Sequence, residues 1–345
     1  MWQGDVFLQR LYEAAEQERK QRYGQLPDAD RRERLKQAFR SMLGEFEPND
    51  SHQPVLLEQV QCDGYRRERV ELSAAPGLAF AAYVLIPDGL ERPAPGVLAI
   101  HGHGYGSRQI TGMLPDGSSN VQNPGGHNNF AIELVKRGMA VIAPDVIGFG
   151  ERLLASDMQA ESGVRPNNSC DTLAKHMLMY GKTLAGLRVW EARKALDYLL
   201  SRPETASGGA GVMGFSGGAV IASAAAIVDE RLHAAVLTGF PNTFQDSIMA
   251  VRHCIDNYIP GILLHAELPE LLGLLAPRPL FLQSGEHDPI FPKEGFRQAV
   301  RHVQHIYSSE GASGQFRSEL FSGGHEVNGT LSYDWLAETC FRLSR

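Results

Sequence analysis

Residues 210–226 read AGVMGFSGGAVIASAAA, an apolar run that changes into a run of small residues at Ser216. The residues before Ser216 predict a buried strand, and the small residues after Gly217 predict a helix. Gly214 and Gly218 lie two residues either side of the serine, where side chains would collide with it at a sharp turn. A serine on such a turn projects its Oγ above the sheet, where the helix directs its free N–H groups. The pattern therefore predicts a nucleophilic serine at position 216.

A serine hydroxyl is a weak nucleophile, so it needs a base and a carboxylate that orients the base. Where a serine stands on a strand-to-helix turn, both partners are expected after later strands, in the order acid and then histidine. The apolar run 279–283 is followed by Asp288, and the run 316–321 is followed by Gly323-Gly324-His325. We therefore predict Asp288 as the acid and His325 as the base.

Other side chains near these positions offer alternative roles. Glu286 is the alternative acid, but a bend several residues after the strand favours Asp288, whose carboxylate then reaches the histidine. His287 precedes the acid position, so we expect it to be structural or exposed. His253 and Cys254 suggest a Cys–His dyad, but neighbouring side chains diverge, so packing is the expected role.

The segment His101-Gly102-His103-Gly104 follows the apolar run 96–100, at the end of an early predicted strand. A second donor of an oxyanion hole is expected at this position, and glycines there let backbone N–H groups face a substrate. We predict that the N–H groups of His103 and Gly217 form the hole. The H-x-H spacing also suggests zinc, but local spacing supplies no third ligand. No metal and no other cofactor is expected.

The rest of the chain predicts an α/β fold. Three β-prone runs joined by turn signals indicate an antiparallel meander over residues 55–86. Buried strands then alternate with helices, which predicts a mostly parallel central sheet with helices on both faces. Residues 171–202 predict one long amphipathic helix. Two long insertions, 105–128 and 241–275, interrupt the alternation.

Two segments lie outside this alternation. Residues 1–54 are rich in Glu, Lys, Arg, Gln and Leu, which predicts a helical N-terminal extension packed on a catalytic domain of residues 55–345. A dimerisation arm is the alternative. Residues 241–275 are too apolar for disorder and connect two strands, so we predict a cap over Ser216 that admits only small acyl groups.

Substrate contacts elsewhere are left open by the sequence. Glu151 and Arg152 follow a predicted strand, and the expected structure is a loop held by ion pairs. Either residue, or the insertion 105–128, could also line the substrate pocket.

Composition excludes several classes of function. The chain has 345 residues, of which 43% are hydrophobic and 21% charged, as is usual for globular proteins. Its net charge of -7 is spread along the chain without a basic stripe, so no nucleic-acid partner is expected. The longest apolar run is too short to cross a membrane.

Four scattered cysteines indicate free thiols in a reducing compartment. With no signal peptide expected, they predict a cytoplasmic protein. A homo-oligomer remains open.

Together these motifs resemble those of the α/β-hydrolase superfamily, and within it the dienelactone-hydrolase and acetyl-xylan-esterase-like group. The resemblance covers roughly residues 55–345 and rests on the motifs around His103, Ser216, Asp288 and His325. It implies Ser216 as nucleophile, Asp288 as acid and His325 as base. Dienelactone hydrolases use a cysteine where this chain has Ser216, so the resemblance favours small carboxylic esters of short acyl groups, including acetylated sugars.

Two other functions are compatible with the same motifs. A peptidase or amidase similar to prolyl oligopeptidases is one, although a helical region stands here where that family has a propeller. A non-catalytic ligand-binding protein of the same fold is the other, and the complete set of Ser216, Asp288 and His325 argues against it.

Overall fold

The fold is built around one nine-stranded sheet. The computed structural model describes residues 3–49, 51–159 and 167–344 of the chain. The strands within these residues are β1 (Val55–Gln61), β2 (Tyr65–Ala75), β3 (Leu78–Pro87), β4 (Ala94–Ile100), β5 (Ala140–Pro144), β6 (Thr205–Phe215), β7 (Leu232–Thr238), β8 (Leu280–Gly285) and β9 (Phe316–Phe321). The helices are α1 (Gly4–Tyr23), α2 (Asp28–Leu43), α3 (Phe130–Val135), α4 (Ala155–Met158), α5 (Cys170–Met179), α6 (Leu184–Ser201), α7 (Gly217–Val228), α8 (Leu268–Gly273), α9 (Lys293–Ser309) and α10 (Ser332–Leu343).

The strand order is β1-β2-β3-β5-β4-β6-β7-β8-β9. The pairs β1–β2, β2–β3 and β3–β5 are antiparallel, and all later pairs are parallel. The predicted meander and the mostly parallel sheet are therefore confirmed. Because parallel strands end at the same edge, the loops after β4, β6, β8 and β9 are brought together there.

Helices cover both faces of the sheet. In β4, Leu98 and Ile100 belong to a core cluster with α6, α7 and α9, while Val97 and Ala99 belong to a second cluster with α3 and α10. Strands buried on both faces are expected to be apolar along their whole length, as β4 is. No helix in the described parts of the chain has both the length and the apolar character to span a bilayer.

The predicted single helix over residues 171–202 is wrong, because the structure has two helices there, α5 and α6. Gly181, just past the end of α5, has a φ of +68°, a conformation that ends helices and that side chains disfavour. Thr183 then begins α6, and its hydroxyl oxygen accepts a hydrogen bond of 2.9 Å from the N–H of Gly186. Apolar residues recur on both sides of the break, so periodicity alone did not reveal it.

Residues 4–43 form two helices that pack on the rest of the chain. In α2, Leu35, Phe39 and Leu43 are buried in the main core cluster. The helix α1 is held largely by polar contacts, among them a hydrogen bond from the Tyr12 hydroxyl to Glu267 at 3.2 Å. The contact surface of these two helices includes part of residues 241–275, and the division into an extension of residues 1–54 and a catalytic domain of residues 55–345 stays a prediction.

Residues 241–275 fold against the main core. Phe244, Ile248 and Ile262 are buried in the same core cluster as α6 and α7. Within the segment lie a short 3-10 helix at Ile255–Asn257, which contacts α5, α6 and α7, and the helix α8. The segment therefore packs against the helices α5, α6 and α7, and its role as a cap stays a prediction.

The packing of α2 predicts a large effect on stability. Phe39→Ala removes a side chain that is 2% exposed, so we expect a loss of about 3–5 kcal/mol in the free energy of unfolding. Phe7→Ala in α1 is the matched control, because that ring is 61% exposed and its removal leaves no cavity. Urea unfolding of the two variants and of the parent measures the change in the free energy of unfolding that each substitution causes. Equal midpoints for Phe39→Ala and the parent would show that α2 is not part of the core.

Candidate active site

Ser216 lies on a strained turn between β6 and α7. Its φ of +53° and ψ of -125° are a conformation that residues with side chains rarely adopt. A Cβ atom at Gly214 would lie 2.4 Å from the carbonyl oxygen of Gly218. A Cβ atom at Gly218 would lie 2.1 Å from the carbonyl oxygen of Ile100. Both glycines are therefore required for the turn, and the serine occupies the predicted elbow.

The three residues predicted as a triad form one chain of hydrogen bonds. The Oγ atom of Ser216 lies 2.9 Å from Nε2 of His325, and Nδ1 of His325 lies 2.7 Å from Oδ2 of Asp288. An ionised carboxylate only accepts hydrogen bonds, so Nδ1 carries the proton and Nε2 accepts from the serine. Ser216 follows β6, Asp288 follows β8 and His325 follows β9.

Asp288 is held as an acceptor by the turn in which it stands. Its Oδ1 atom accepts hydrogen bonds from the N–H groups of Ile290, at 2.8 Å, and Phe291, at 3.0 Å. Its Oδ2 atom is left for His325. Glu286, the alternative acid, instead lies 3.2 Å from the ammonium group of Lys293, and its side chain is 38% exposed. The geometry therefore favours Asp288 over Glu286.

Aromatic rings fix the orientation of His325. Its ring lies 4.9 Å from that of Phe215 and is stacked 5.8 Å from that of Phe291. Gly239 has a φ of +60°, and a Cβ atom there would lie 3.2 Å from Cε1 of His325. The imidazole is thus confined between neighbours, which keeps both of its nitrogens on their partners.

Two buried histidines hold the loop after β4. Nε2 of His101 accepts the N–H of Val146 at 3.1 Å, so its Nδ1 carries the proton and donates to the carbonyl oxygen of Gly102 at 2.7 Å. Nε2 of His127 accepts the N–H of Gly102 at 3.1 Å. Burial lowers the pKa of His101 to about 4 and that of His127 to about 3, so both rings are neutral at physiological pH. Both sides of the Gly102 backbone are therefore fixed.

The predicted oxyanion donors lie side by side. A Cβ atom at Gly217 would lie 3.0 Å from Nδ1 of His103, so the two residues are in contact. Across the three described ranges, neither the N–H of His103 nor that of Gly217 has a hydrogen-bond acceptor. Both groups are free to donate to a substrate.

The partly buried side chain of His103 lies beside a buried carboxylate. Its Nε2 atom lies 3.3 Å from Oδ2 of Asp256. Burial opposes protonation of the ring, but the nearness of Asp256 and of Cys170 outweighs it and raises the pKa of His103 to about 9. Asp256 in turn accepts a hydrogen bond of 2.5 Å from the buried Arg188. The segment 241–275 therefore reaches the oxyanion loop.

Two cavities adjoin the site. One, of about 720 Å³, shares His103 with the oxyanion loop and is lined by His103, Gly104, Tyr105, Phe149, Gly150, Leu153, Met158, Asn167 and Asn168. The other, of about 400 Å³, is mainly apolar and is lined by Ala174, Leu178, Thr183, Leu184, His253, Ile255, Tyr258 and Pro260. The ring of His253 lies 5.8 Å from that of Phe291, which stacks on His325.

Several other candidates from the sequence lie outside the reacting centre. Arg152 is held by two hydrogen bonds, of 2.8 and 2.5 Å, to Glu191, and Glu151 lies 2.6 Å from Arg108. The prediction of a loop held by ion pairs is confirmed, and neither Glu151 nor Arg152 lines the two cavities. His287 is exposed, as expected.

The expected packing role of His253 has a clear outcome, and a further histidine was not foreseen. Among the described residues, the hydrogen-bond contact of His253 Nδ1 is with the carbonyl oxygen of Cys254, at 3.5 Å, and not with its thiol, so the two side chains form no dyad. His127, in the insertion 105–128, was missed by sequence reasoning. The tight turn Pro124-Gly125-Gly126-His127 was the available signal, but nothing in it indicates a partner as distant as Gly102.

Comparison with known proteins identifies the family of the chain. The model of the Abhydrolase family matches residues 15–305, which include Ser216 and Asp288 but end before His325. The chain is also 29% identical over 312 residues to YtaP of Bacillus subtilis (strain 168), which is named as a hydrolase; the match covers 88% of this chain and 97% of that one.

Solved structures share the fold. A protein of Bacteroides fragilis NCTC 9343 that carries the name of an acetyl xylan esterase has a TM-score of 0.71 at 20% identity, over 84% of this chain and 74% of that one. The glucuronoyl esterase of Solibacter usitatus has a TM-score of 0.66 at 14% identity, over 90% and 92%. Acetyl xylan esterase 1 of Thermoanaerobacterium sp. JW/SL YS485 has a TM-score of 0.54 at 17% identity, over 92% and 99%.

The family match covers most of the chain, so the chain belongs to the Abhydrolase family. The predicted α/β-hydrolase fold is confirmed, and structures that carry the name of acetyl xylan esterases share this fold. The chain is an α/β-hydrolase whose fold is that of known carboxylic ester hydrolases.

The choice between the two carboxylates leads to a direct test. We expect Asp288→Asn to lower kcat for ester hydrolysis by roughly 10⁴-fold, because an amide would hold His325 in the wrong tautomer. Glu286→Gln is the matched control and should leave kcat nearly unchanged, since Glu286 contacts Lys293. Steady-state kinetics on a p-nitrophenyl ester, with circular dichroism as the folding check, measure both. A larger loss in Glu286→Gln would reverse the assignment.

Proposed function

We propose that this member of the Abhydrolase family is a serine esterase that cleaves small carboxylic esters of short acyl groups. The observation that carries the proposal is the hydrogen-bonded chain from Asp288 through His325 to Ser216, with the serine on a strained elbow. A serine with a purely structural role would not need a φ of +53°. It would also not need to face a histidine that a buried carboxylate orients.

The first half of the reaction forms an acyl-enzyme. His325 accepts the proton of Ser216 through Nε2 while Oγ attacks the ester carbonyl carbon. The resulting imidazolium is stabilised by Asp288. As the tetrahedral intermediate collapses, His325 gives the proton to the alcohol oxygen, which leaves.

Negative charge on the carbonyl oxygen is held by backbone donors. We assign this role to the N–H groups of His103 and Gly217, two residues that contact each other and whose N–H groups have no acceptor in the described chain. Donors that are fixed before the reaction stabilise the developing charge without reorganisation. His101 and His127 fix the backbone of Gly102, so they act as positioning residues for His103.

The second half of the reaction uses water. His325 removes a proton from a water molecule, which attacks the acyl carbon and regenerates Ser216 with release of the carboxylic acid. The same two N–H groups hold the second oxyanion. All proton transfers take place at Nε2 of His325.

The substrate class is proposed from relatives of the same fold. Proteins named as acetyl xylan esterase and as glucuronoyl esterase share it. Acetylated carbohydrates are therefore the first natural esters to test, beside simple acetyl esters. Peptidase or amidase activity of the prolyl-oligopeptidase type would appear in the same assays as cleavage of amide substrates. A non-catalytic ligand-binding protein would turn over none of them.

We further propose that part of residues 241–275 limits the length of the acyl group. The 3-10 helix Ile255–Asn257 contacts α7, which begins at the nucleophile, and Asp256 lies beside His103. Ile255 also lines the apolar cavity of about 400 Å³. A wall this close to the oxyanion loop would leave room for short acyl chains and exclude long ones.

The nucleophile is tested by labelling. We expect Ser216→Ala to remain folded, to lose several orders of magnitude in kcat and to resist a fluorophosphonate probe that labels the parent. Ser309→Ala removes an exposed serine at the end of α9 and is the control that should label fully. Labelling that persists in Ser216→Ala would assign the nucleophile to another serine.

The acyl wall is tested by a series of p-nitrophenyl esters. We expect kcat/KM for acetyl and propionyl esters to exceed that for the octanoyl ester by at least about tenfold, since even single methylenes are discriminated in a closed pocket. Ile255→Ala should narrow that ratio. Val251→Ala, an exposed position of the same segment that lines neither cavity, should not change it. A parent enzyme that prefers the octanoyl ester would disprove the wall.

A further inference from the structure

Four side chains with metal-binding atoms meet behind the oxyanion loop. They are His103, Cys170, Cys254 and Asp256, and one ligand atom from each lies within 4.8 Å of all the others. Cys170 and Asp256 are buried, and His103 and Cys254 are partly buried. The four residues come from three separate parts of the chain: the loop after β4, the start of α5 and the segment 241–275. The triad uses none of these side chains.

We propose that this cluster is a binding site for a zinc ion. Zinc bonds of 2.0–2.3 Å in a tetrahedron separate neighbouring ligand atoms by roughly 3.3–3.8 Å. In the structure, Nε2 of His103 lies 3.3 Å from Oδ2 of Asp256, and Sγ of Cys170 lies 3.5 Å from the same oxygen. Both of these distances match the spacing of a tetrahedral site, and all four ligand atoms lie within 4.8 Å of one another, so small side-chain movements would complete the tetrahedron.

The His103 ring supplies an independent observation. Its Nε2 atom is buried and makes no hydrogen bond of acceptable geometry to any described residue, although the carboxylate of Asp256 is near. Buried polar atoms are nearly always paired, and an unpaired ring nitrogen directed at two sulfur atoms and a carboxylate is suited to a metal.

Charge balance also fits a divalent cation. Metal binding displaces the protons of its ligands, so both thiols are then deprotonated and the His103 ring is neutral. Cys170, Cys254 and Asp256 then carry three negative charges. A zinc ion and the buried guanidinium of Arg188 carry three positive charges. Arg188 lies 3.1 Å from Sγ of Cys170 and 2.5 Å from Oδ2 of Asp256, so it acts as a donor outside the coordination sphere.

The ligand set selects the ion and the kind of site. Two thiolates with an imidazole and a carboxylate suit zinc better than the oxygen-preferring calcium or magnesium ions. Four protein ligands leave no open position, so the ion would be structural and would activate no water. It would tie residues 254–256 and the start of α5 to His103, whose N–H we assign to the oxyanion hole. The inference goes beyond the proposed esterase and does not depend on it.

The test measures metal directly on the full chain. After chelation under reducing conditions and dialysis against Zn²⁺, mass spectrometry of the metal should give one zinc per parent chain. Replacing Zn²⁺ by Co²⁺ should produce thiolate-to-cobalt charge-transfer absorption and the visible bands of a tetrahedral site. Cys254→Ser should weaken zinc binding by at least about 100-fold, since even outer-shell changes cost 10- to 100-fold. Cys62→Ser, in the turn between β1 and β2, is the matched control and should bind as the parent does.

Alkylation gives a second reading that does not require a variant to fold. In the parent chain, bound Zn²⁺ should protect Cys254 from iodoacetamide while Cys62, which is also partly exposed, reacts equally with and without the ion. A folded, reduced parent that takes up no Zn²⁺ would overturn the proposal. Unchanged zinc affinity in Cys254→Ser, or a Cys170–Cys254 disulfide in place of the metal, would overturn it as well. Ser216→Ala should keep its zinc, so failure of the esterase proposal is seen separately.

Discussion

The first turn of α7 crosses the end of β4 with no space for a side chain, and the catalytic geometry depends on this contact. A Cβ atom at Gly218 would lie 2.1 Å from the carbonyl oxygen of Ile100 and 2.5 Å from that of His101. The contact forces the reversal at Ser216 into a φ of +53° and brings the start of α7 against the loop that carries His103. One backbone contact thus fixes the positions of the nucleophile and of the oxyanion donors. The packing of the surrounding sheet offsets the conformational strain at Ser216.

The positions of the acid and the base follow from the same sheet. The strands β8 and β9 pair in parallel up to Gly285 and Phe321, so their following loops leave at one edge. At that edge a Cβ atom on Gly285 would lie 2.0 Å from the carbonyl oxygen of Gly324. The close approach fixes the loop of His325 relative to the turn of Asp288. Gly285 therefore allows the close backbone contact that positions the acid and the base, as Gly218 allows the contact that positions the nucleophile.

These features were predictable because they are local in sequence. An apolar run followed by a turn residue is enough to place Ser216, Asp288 and His325 at the ends of strands, and the order of strands then brings them together. The break between α5 and α6 could also have been predicted from Gly181 and the capping residue Thr183. The continuous apolar pattern favoured a single helix instead. The contacts of His127 with Gly102 and of Asp256 with His103 could not be predicted from the sequence. They join segments separated by long stretches of chain, and no spacing rule connects such residues.

The same long-range contacts link specificity to catalysis in this protein. His103 is held through its backbone by the fixed Gly102 and faces Asp256 through its side chain. Asp256 belongs to the segment that we propose as the acyl wall, and its partner Arg188 is buried in α6. Removing Asp256 would leave Arg188 buried without its carboxylate, and breaking a buried ion pair in this way typically costs about 3–5 kcal/mol. The segment is therefore not free to change its position for a new substrate without displacing an oxyanion donor. We therefore expect changes of substrate range to be more accessible in the cavity beside Tyr105 and Met158.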